Sequence, residues 1–177
     1  MSAFAVVDVV FIEGGNNPSL SFVVTEAPVQ KRPKMNWKKQ KKGPIYYDPS
    51  SKDKKAWKKA LEKALVAYGV SSFPVFKAEN TDQMQSEGLH IDAVFYMKRC
   101  ADDYRVVRGT KVLKDQHQKY PGQKDTDNML KFVMDAAHKV LYDDDKCVVE
   151  ISAKKKFVEE DEKSFGPHTA IRITKLN

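Results

Sequence analysis

The stretch DTDNMLKFVMDAAHKVLYDDDKCVVEISAKKKF, residues 125–157, contains the strongest periodic signal in the chain. Between residues 128 and 141, its apolar side chains recur at the spacing of one helical face. They are Met129, Phe132, Val133, Ala136, Ala137 and Val140. Residues 148–157 are typical of a strand. The stretch therefore predicts an amphipathic helix over residues 128–141 that packs on a sheet and leads into one of its strands.

Outside this stretch, the sequence predicts a second helix and four more strands. The strands cover residues 4–13, 20–25, 89–99 and 168–174. The helix covers residues 52–68, with an apolar stripe of Ala56, Trp57, Ala60, Leu61, Ala64, Leu65 and Tyr68. The order ββαβαββ predicts an α+β fold, a mixed β-sheet with two main helices packed on one face. The length of 177 residues suits a single domain, residues 1–177.

Two segments fall outside this pattern. Residues 101–124 predict a long polar and basic link without a helical or strand period. A link of this length in a compact domain is commonly functional or mobile. Residues 31–47 predict a basic segment, in which Pro33, Gly43 and Pro44 argue against regular structure.

The formal net charge is +7, and the positive charge is clustered. Such clustering predicts a polyanionic partner, either nucleic acid or an acidic membrane face. Residues 31–42 include seven Lys or Arg, and nearby aromatic rings could stack on unpaired bases. The predicted DNA-binding residues are Lys31, Arg32, Lys34, Trp37, Lys38, Lys39, Lys41, Lys42, Tyr46 and Tyr47. The helix over residues 52–68 adds a lysine face, and the alternative for the basic segment is a solvated lysine-rich loop.

The sequence predicts an intracellular protein without a membrane partner. No apolar run approaches the roughly 18 residues that a membrane helix needs. The N-terminal apolar run is interrupted by Asp8 and lacks a preceding basic region, so it predicts a strand rather than a signal peptide. Cys100 and Cys147 have no CxxC spacing and are predicted to be reduced thiols.

Aspartates stand at both ends of the helix over residues 128–141. Asp125 and Asp127 precede it, and residues 143–145 are three consecutive aspartates. Taken singly, Asp127 could be an N-cap, Asp125 a solvated loop residue and residues 143–145 a polar turn. In an extended segment, Asp125 and Asp127 would project from the same side of the chain, beside the positive end of the helix dipole. Closely placed carboxylates supply the oxygen ligands that Mg²⁺ takes.

The combination of these features is more specific than any one of them. The pattern DxDNxxK at residues 125–131, an amphipathic helix and DDxxV at residues 144–148 resemble the RusA family of Holliday-junction resolvases. These are small phage and bacterial endonucleases that cut four-way DNA. A looser similarity extends upstream from Ala27 to the helix over residues 52–68, so that the resemblance covers most of the chain.

The resemblance implies a homodimeric enzyme of phage or bacterial origin, cytoplasmic and nucleoid-associated, that acts in DNA recombination and repair. Such an enzyme uses Mg²⁺, with Mn²⁺ as a substitute, to hydrolyse one phosphodiester in each of two opposed strands. Carried over by motif, the catalytic residues are Asp125, Asp127, Asp145 and Lys131. The three aspartates would bind the metal, with Asp144 as the alternative to Asp145 because three aspartates are consecutive here. The link at residues 101–124 is longer than the family requires.

A distance argument constrains this set of residues. A helix of about 14 residues is ~21 Å long, whereas metal ligands lie within about 2.1 Å of Mg²⁺. Asp127 and Asp145 can share a metal if the segment after Leu141 folds back along the helix. The other route is a twofold-related subunit that brings its own end of the helix to this one.

Two other functions are compatible with the sequence. The first is a non-catalytic DNA- or RNA-binding protein in which the aspartates are caps and turns. The second is a related nuclease that acts on flaps, RNA or other branched nucleic acids.

Overall fold

The computed structural model describes residues 4–12, 17–25, 51–77, 88–115, 119–122, 124–158 and 166–176, and the backbone of residues 34–36 and 45–47. The strands are β1 (Val6–Ile12), β2 (Ser19–Thr25), β3 (Lys34–Asn36), β4 (Ile45–Tyr47), β5 (Leu89–Met97), β6 (Tyr104–Val107), β7 (Thr110–Leu113), β8 (Val148–Phe157) and β9 (His168–Lys175). The helices are α1 (Ser51–Ala67) and α2 (Thr126–Ala137). No helix in the described ranges is long and apolar enough to cross a membrane.

Five strands form one mixed sheet in the order β1-β2-β9-β5-β8. Neighbouring strands are antiparallel except for β5 and β8, which run parallel with Ile91 opposite Ile151. Parallel neighbours cannot be joined by a tight turn, and α2 lies in the connection between these two strands. The predicted α+β class, with a mixed sheet and two helices, is confirmed.

The core lies between the helices and one face of the sheet. Alternate residues of β5 are buried because successive side chains of a strand point to opposite faces. They are Leu89, Ile91, Ala93, Phe95 and Met97. All six residues of the predicted apolar stripe of α2 are also buried. From α1, the buried Trp57 ring packs edge-on against Phe22 of β2, with ring centroids 6.1 Å apart.

Polar contacts connect α1 with α2. The Lys54 ammonium forms an ion pair with the Asp135 carboxylate. Lys58 Nζ donates a hydrogen bond to the carbonyl oxygen of His138 at 3.3 Å. These two lysines therefore help to pack the helices together, and only part of the predicted lysine face of α1 is turned to solvent. Its exposed members are Lys55, Lys59 and Lys63.

The boundaries of α2 differ from the prediction of residues 128–141. The helix begins at Thr126 because Asp125 adopts the extended conformation of an N-cap. It ends at Ala137 because Lys139 has a φ of 66°, a left-handed conformation that cannot continue a right-handed helix. Similarly, α1 ends at Ala67, so Tyr68, which the predicted stripe included, lies outside the helix and is 62% exposed.

Two pairs of strands lie in segments predicted to be irregular. β3 and β4 pair antiparallel within the basic segment, and β6 and β7 pair antiparallel within the link at residues 101–124. Both pairs are separate from the five-stranded sheet. The prediction that these segments lack regular structure was wrong, because short strands can be stabilised by pairing with one another.

The sheet face opposite the helices carries a polar network. Ser152 Oγ of β8 donates to Asp92 Oδ1 of β5 at 2.8 Å, and His90 Nε2 lies 3.2 Å from the same Ser152 Oγ. These side chains satisfy one another's hydrogen-bonding groups on this half-buried face.

Candidate functional site

The N-terminal end of α2 is formed by the DTDN motif. Asp125 is the N-cap residue, and its carbonyl oxygen accepts the first helical hydrogen bond from Met129 N at 3.2 Å. Its carboxylate makes no capping hydrogen bond and instead accepts one from Asn128 Nδ2 at 3.2 Å. The interpretation of Asp127 as the N-cap was therefore wrong. The residue that does occupy the cap position does not use its carboxylate to satisfy the backbone of the first turn.

Asp127 lies in the first turn of α2 and is exposed, as is Asp125. The extended arrangement considered for these two residues is not adopted, because Asp127 already belongs to the helix. Negative charges at this end of a helix interact favourably with the helix dipole. Lys131 follows one turn later and is also exposed. The i, i+4 spacing makes Lys131 a neighbour of Asp127 on the helix surface.

A lysine from the neighbouring strand reaches the start of this motif. Lys155 Nζ of β8 donates to the carbonyl oxygen of Lys124 at 2.8 Å. Lys124 is half-buried, and this burial lowers the pKa of its ammonium group. The chain that enters the motif is therefore anchored to the edge strand of the sheet.

At the C-terminal end of α2, the chain turns back on itself. The N–H of Lys139 donates to the carbonyl oxygen of Tyr142 at 2.8 Å. This turn directs Tyr142 against the helix, where its hydroxyl donates to the carbonyl oxygen of Met134 at 2.9 Å. Tyr142 is fully buried. Its burial, followed by the charge of the Asp145 carboxylate, raises the pKa of its phenol above the ordinary value.

The first of the three consecutive aspartates stabilises this turn. The Asp143 carboxylate forms an ion pair with Lys139, with Oδ1 and Nζ 3.3 Å apart. The carbonyl oxygen of Asp143 lies 2.8 Å from His138 Nε2, which donates to it. Asp143 is therefore part of the local fold.

Asp144 and Asp145 differ in their surroundings. Asp144 caps a short 3₁₀ turn, and its Oδ1 accepts a hydrogen bond from Lys146 N at 2.9 Å. Its carbonyl oxygen accepts a second hydrogen bond from Cys147 Sγ at 2.7 Å, and burial raises the pKa of that thiol. Asp145 is exposed and lies near the Tyr142 hydroxyl. Asp144 thus has a structural role, whereas the Asp145 carboxylate is exposed and adjoins the Tyr142 hydroxyl.

The two acidic groups lie at opposite ends of α2. The helix has 12 residues and is therefore ~18 Å long. The chain after the helix folds back by about one turn, since the Tyr142 hydroxyl reaches Met134. Within the described ranges, no three His, Cys, Asp or Glu side chains are grouped so that they could hold a metal ion. One chain thus places Asp125 and Asp127 at the start of α2 and Asp145 beyond its other end.

The carboxylates at the start of α2 suit a hard divalent cation. Mg²⁺ takes oxygen ligands and is commonly held by one or two carboxylates together with water and substrate phosphates. Asp125 and Asp127 provide two exposed carboxylates within the first turn of one helix. These two residues therefore fit a Mg²⁺ ion that is also bound by a phosphate.

The predicted DNA-binding segment is described only in part. Lys31, Arg32, Trp37, Lys38, Lys39, Lys41 and Lys42 lie outside the described residues. Lys34 lies in β3, while Tyr46 and Tyr47 lie in β4. The antiparallel register sets Lys34 opposite Tyr47. The two ends of the basic segment are therefore held side by side.

Sequence reasoning missed Tyr142 and Lys155 as parts of this region. A signal for Tyr142 exists, because an aromatic residue between an apolar stripe and an acidic run predicts a ring in the core with a bonded hydroxyl. No local signal identifies Lys155. Its partner Lys124 is 31 positions away in the chain, and their contact depends on how the strand and the helix pack.

A comparison with models of protein families matches residues 26–174 of the chain to the family described as Endodeoxyribonuclease RusA. No curated protein and no solved structure matches the chain. The matched range includes α2 and the aspartates at both of its ends. Enzymes of this family hydrolyse phosphodiester bonds in DNA. The chain belongs to the RusA family of endodeoxyribonucleases.

Proposed function

We propose that this endodeoxyribonuclease resolves Holliday junctions by cutting one phosphodiester in each of two opposed strands, in DNA recombination and repair. Family membership supports both the reaction and the four-way substrate. The observation that carries the site assignment is the pair of exposed carboxylates, Asp125 and Asp127, at the start of α2. The Asp125 carboxylate makes no capping hydrogen bond to the helix amides and accepts one from Asn128 Nδ2 at 3.2 Å.

Asp125 and Asp127 would hold a Mg²⁺ ion, or Mn²⁺ as a substitute, and Asp145 would be the third ligand. When bound, such a cation polarises the phosphate and lowers the pKa of a water molecule that it binds. Asp144 is the weaker candidate because its carboxylate already accepts a hydrogen bond from Lys146 N at 2.9 Å. Exposure of the Asp145 carboxylate supports its choice over Asp144.

Two lysines would support the reaction in different ways. Lys131 lies one turn after Asp127 and would offset the negative charge that develops on the phosphate oxygens. Lys155 would act as a positioning residue, because its hydrogen bond to the Lys124 carbonyl oxygen holds the chain just before Asp125.

A second copy of the chain would complete the site. Asp145 lies beside Tyr142, whose hydroxyl bonds Met134, and Met134 is still ~10 Å along the helix from Asp127. Ligand oxygens must lie within about 2.1 Å of Mg²⁺, so one chain would leave Asp145 too far from a cation held by Asp125 and Asp127. In a homodimer whose two α2 helices run antiparallel, Asp145 of each chain would lie beside Asp125 and Asp127 of the other. The two sites formed in this way would serve two opposed strands.

The basic segment at residues 31–47 would bind the sugar-phosphate backbone of the junction. Phosphate contacts by lysine and arginine do not depend on base sequence, which suits an enzyme that recognises branch shape. Trp37, Tyr46 and Tyr47 would stack on unpaired bases at the crossover. The pairing of β3 with β4 supports this proposal, since it gives the segment a defined base.

The proposed function is tested with a labelled four-way DNA junction incubated with the protein, with and without Mg²⁺. We expect cleavage that requires the metal and falls by at least about 100-fold in Asp127→Asn, while junction binding is retained. Asp143→Asn is the matched control, because Asp143 has a local structural partner, and it should cleave within about threefold of the parent protein. Absence of cleavage with any divalent metal would instead indicate a non-catalytic binding protein. Stronger cleavage of flaps or RNA would indicate the related nuclease.

Mixing two inactive variants tests the shared site. In a heterodimer of Asp127→Asn with Asp145→Asn, one composite site carries both substitutions and the other carries neither. We therefore expect the mixture to recover nicking of a single strand, while each variant alone remains inactive. If the mixture stays inactive although sedimentation shows heterodimers, the site is not shared between subunits.

A further inference from the structure

The link between β5 and α2 contains a β-hairpin formed by β6 and β7, hereafter the β6–β7 ribbon. The strands pair antiparallel, with Tyr104 opposite Leu113 at the base. Arg108 and Gly109 form the tip, with φ angles of 51° and 82°. Two successive residues with positive φ are typical of a type I′ turn, whose twist matches that of a hairpin. The segment is thus a regular two-stranded ribbon, separate from the five-stranded sheet.

The β6–β7 ribbon projects from the body of the protein. None of its strand residues is fully buried, and Val106 and Val112 are 69% and 40% exposed. At its base, the N–H of Lys114 donates to the carbonyl oxygen of the buried Asp103 at 2.9 Å. A two-stranded hairpin alone is at best marginally stable in water. A projecting ribbon with exposed apolar side chains therefore points to a surface that a partner covers.

The charge of the ribbon identifies the chemistry of that partner. Its basic residues are Arg105, Arg108, Lys111 and Lys114. Residues 104–114 contain no acidic side chain. Arg105 Nη2 lies 3.7 Å from Asp115 Oδ2, but both side chains are largely exposed, so this pair is weak. A second copy of the chain would set like charges against each other, whereas a polyanion complements them.

The ribbon leaves the protein at the end where α2 begins. Met97 at the end of β5 lies opposite Phe157 at the end of β8. Near that end of β8, Lys155 donates to the carbonyl oxygen of Lys124, immediately before Asp125. The ribbon begins at residue 104, shortly after the end of β5. The ribbon and the proposed metal ligands at the start of α2 are therefore on the same side of the molecule.

We propose that the β6–β7 ribbon is a DNA-binding arm that enters the major groove of a duplex beside the cleavage site. A strand of four residues is ~14 Å long, and the major groove, about 12 Å wide, admits a two-stranded ribbon. Arg105, Arg108 and Lys111 contact the flanking phosphates. Val107 and Val112, which the antiparallel register places on one face of the ribbon, contact the edges of the bases. The inference rests on the proposed function only in taking the DNA to be branched. Binding of the ribbon to a duplex does not depend on it.

The test removes three charges from the ribbon without disturbing its turn. Arg105→Gln, Arg108→Asn and Lys111→Gln are combined, because asparagine tolerates the positive φ at position 108. The Asp127→Asn substitution is added to prevent cleavage during the binding measurement, in which a labelled four-way junction is titrated over a range of salt concentrations. At about 0.1 M salt we expect an affinity loss of about ten- to hundredfold. The slope of log affinity against log salt should fall by about one unit per lost contact.

A charge-retaining variant is the matched control. Arg105→Lys with Arg108→Lys preserves the positive charge and should bind within about threefold of the parent protein. Thermal unfolding followed by circular dichroism should give the same melting temperature for all variants, because the ribbon contributes no fully buried residue to the core.

Two outcomes would overturn the proposal. One is a triple variant whose affinity and salt dependence match those of the parent. The other is a Val106→Thr, Val112→Thr variant that dissociates a dimer in sedimentation while binding DNA with an unchanged salt slope, which would assign the ribbon to a second copy. If the intact protein fails to cleave junctions but the triple variant still loses affinity for plain duplex, the proposed function fails and the arm stands. If junctions are cleaved and the triple variant binds normally, the proposed function is supported and the proposal of a DNA-binding arm is overturned.

Discussion

The two ends of α2 both carry aspartates, but in different settings. At the N-terminal end, Asp125 and Asp127 are exposed, and the Asp125 carboxylate does not cap the helix. At the C-terminal end, Asp143 pairs with Lys139, and Asp144 caps a 3₁₀ turn. The carboxylates of Asp143 and Asp144 hold the C-terminal turn, whereas the Asp125 carboxylate accepts a hydrogen bond from the Asn128 side chain. The comparison therefore assigns a structural role to most of the second group and leaves two exposed carboxylates in the first as candidate ligands.

The two ends of α2 also differ in burial, and the C-terminal end is the more buried. The C-terminal turn is built around Tyr142, which is fully buried and bonded to Met134. At the other end, none of the residues 124–128 is buried. Substitutions at the start of the helix should therefore change function more than stability, and substitutions at the C-terminal turn should do the opposite, with Asp145 as the exception.

The largest effect on stability is expected at the C-terminal turn. Tyr142→Ala should lower the free energy of unfolding by about 3–5 kcal/mol, because it leaves a cavity where a buried ring packed. Asp127→Asn should lower it by at most about 1 kcal/mol, the value of a carboxylate at a helix N-terminus. Urea unfolding measures both values. Equal losses for the two variants would remove the distinction between the two ends.

A second prediction separates Asp144 from Asp145. Asp145→Asn should reduce junction cleavage by at least about 100-fold, as expected for a metal ligand. Asp144→Asn should leave cleavage within about threefold, because asparagine caps a helical turn as well as aspartate does. Initial cleavage rates at saturating Mg²⁺ give the comparison. The opposite order would make Asp144 the third ligand and Asp145 a residue of the turn.

The smallest effect is expected from Tyr142→Phe. This variant loses the hydrogen bond to the Met134 carbonyl oxygen and should be less stable by about 0.5–1.5 kcal/mol at pH 7. Burial, followed by the charge of Asp145, raises the pKa of the Tyr142 phenol in the folded protein, whereas an unfolded tyrosine ionises near about pH 10. Because the unfolded chain then binds fewer protons, wild-type stability falls as the pH rises above about 10.

The phenylalanine variant lacks this ionisable group, so the stability difference between the two proteins should narrow in the same pH range. Unfolding curves recorded at pH 7 and at about pH 11 test this expectation. A difference that widens with pH would mean that the Tyr142 hydroxyl does not stay protonated in the folded protein.

The sequence predicted those elements whose signal is local and long. The predicted apolar stripe extends over three turns, and all six of its residues are buried, five of them in α2 and Val140 just after it. Alternation along β5 identified its core face for the same reason. The start of α2 was displaced because Asp125 and Asp127 are both acceptable N-caps, and only the backbone conformation distinguishes them.

The remaining features depend on contacts that sequence patterns do not contain. The β6–β7 ribbon turns at Arg108-Gly109 rather than at the Asn-Gly or Asp-Gly pair that usually identifies a type I′ hairpin. β3 and β4 are three residues long, too short for a period to be visible. The order of strands in the sheet and the contact of Lys155 with Lys124 arise from tertiary packing. The acidic motif and the approximate separation of its two halves were predicted from the sequence, whereas the fold-back of the chain after α2 depends on the packing of Tyr142 against Met134.

The parallel pairing of β5 with β8 has a consequence for how the protein can be modified. Parallel neighbours require a long return connection, and here that connection already holds α2 and the β6–β7 ribbon. Doubling the length of a flexible loop raises the closure cost by only about 0.6 kcal/mol. The β6–β7 ribbon, which lies in the connection between Met97 and Thr126, could therefore be shortened, extended or exchanged without changing the sequence of the core. This connection is a site for hairpin exchange next to the proposed metal ligands.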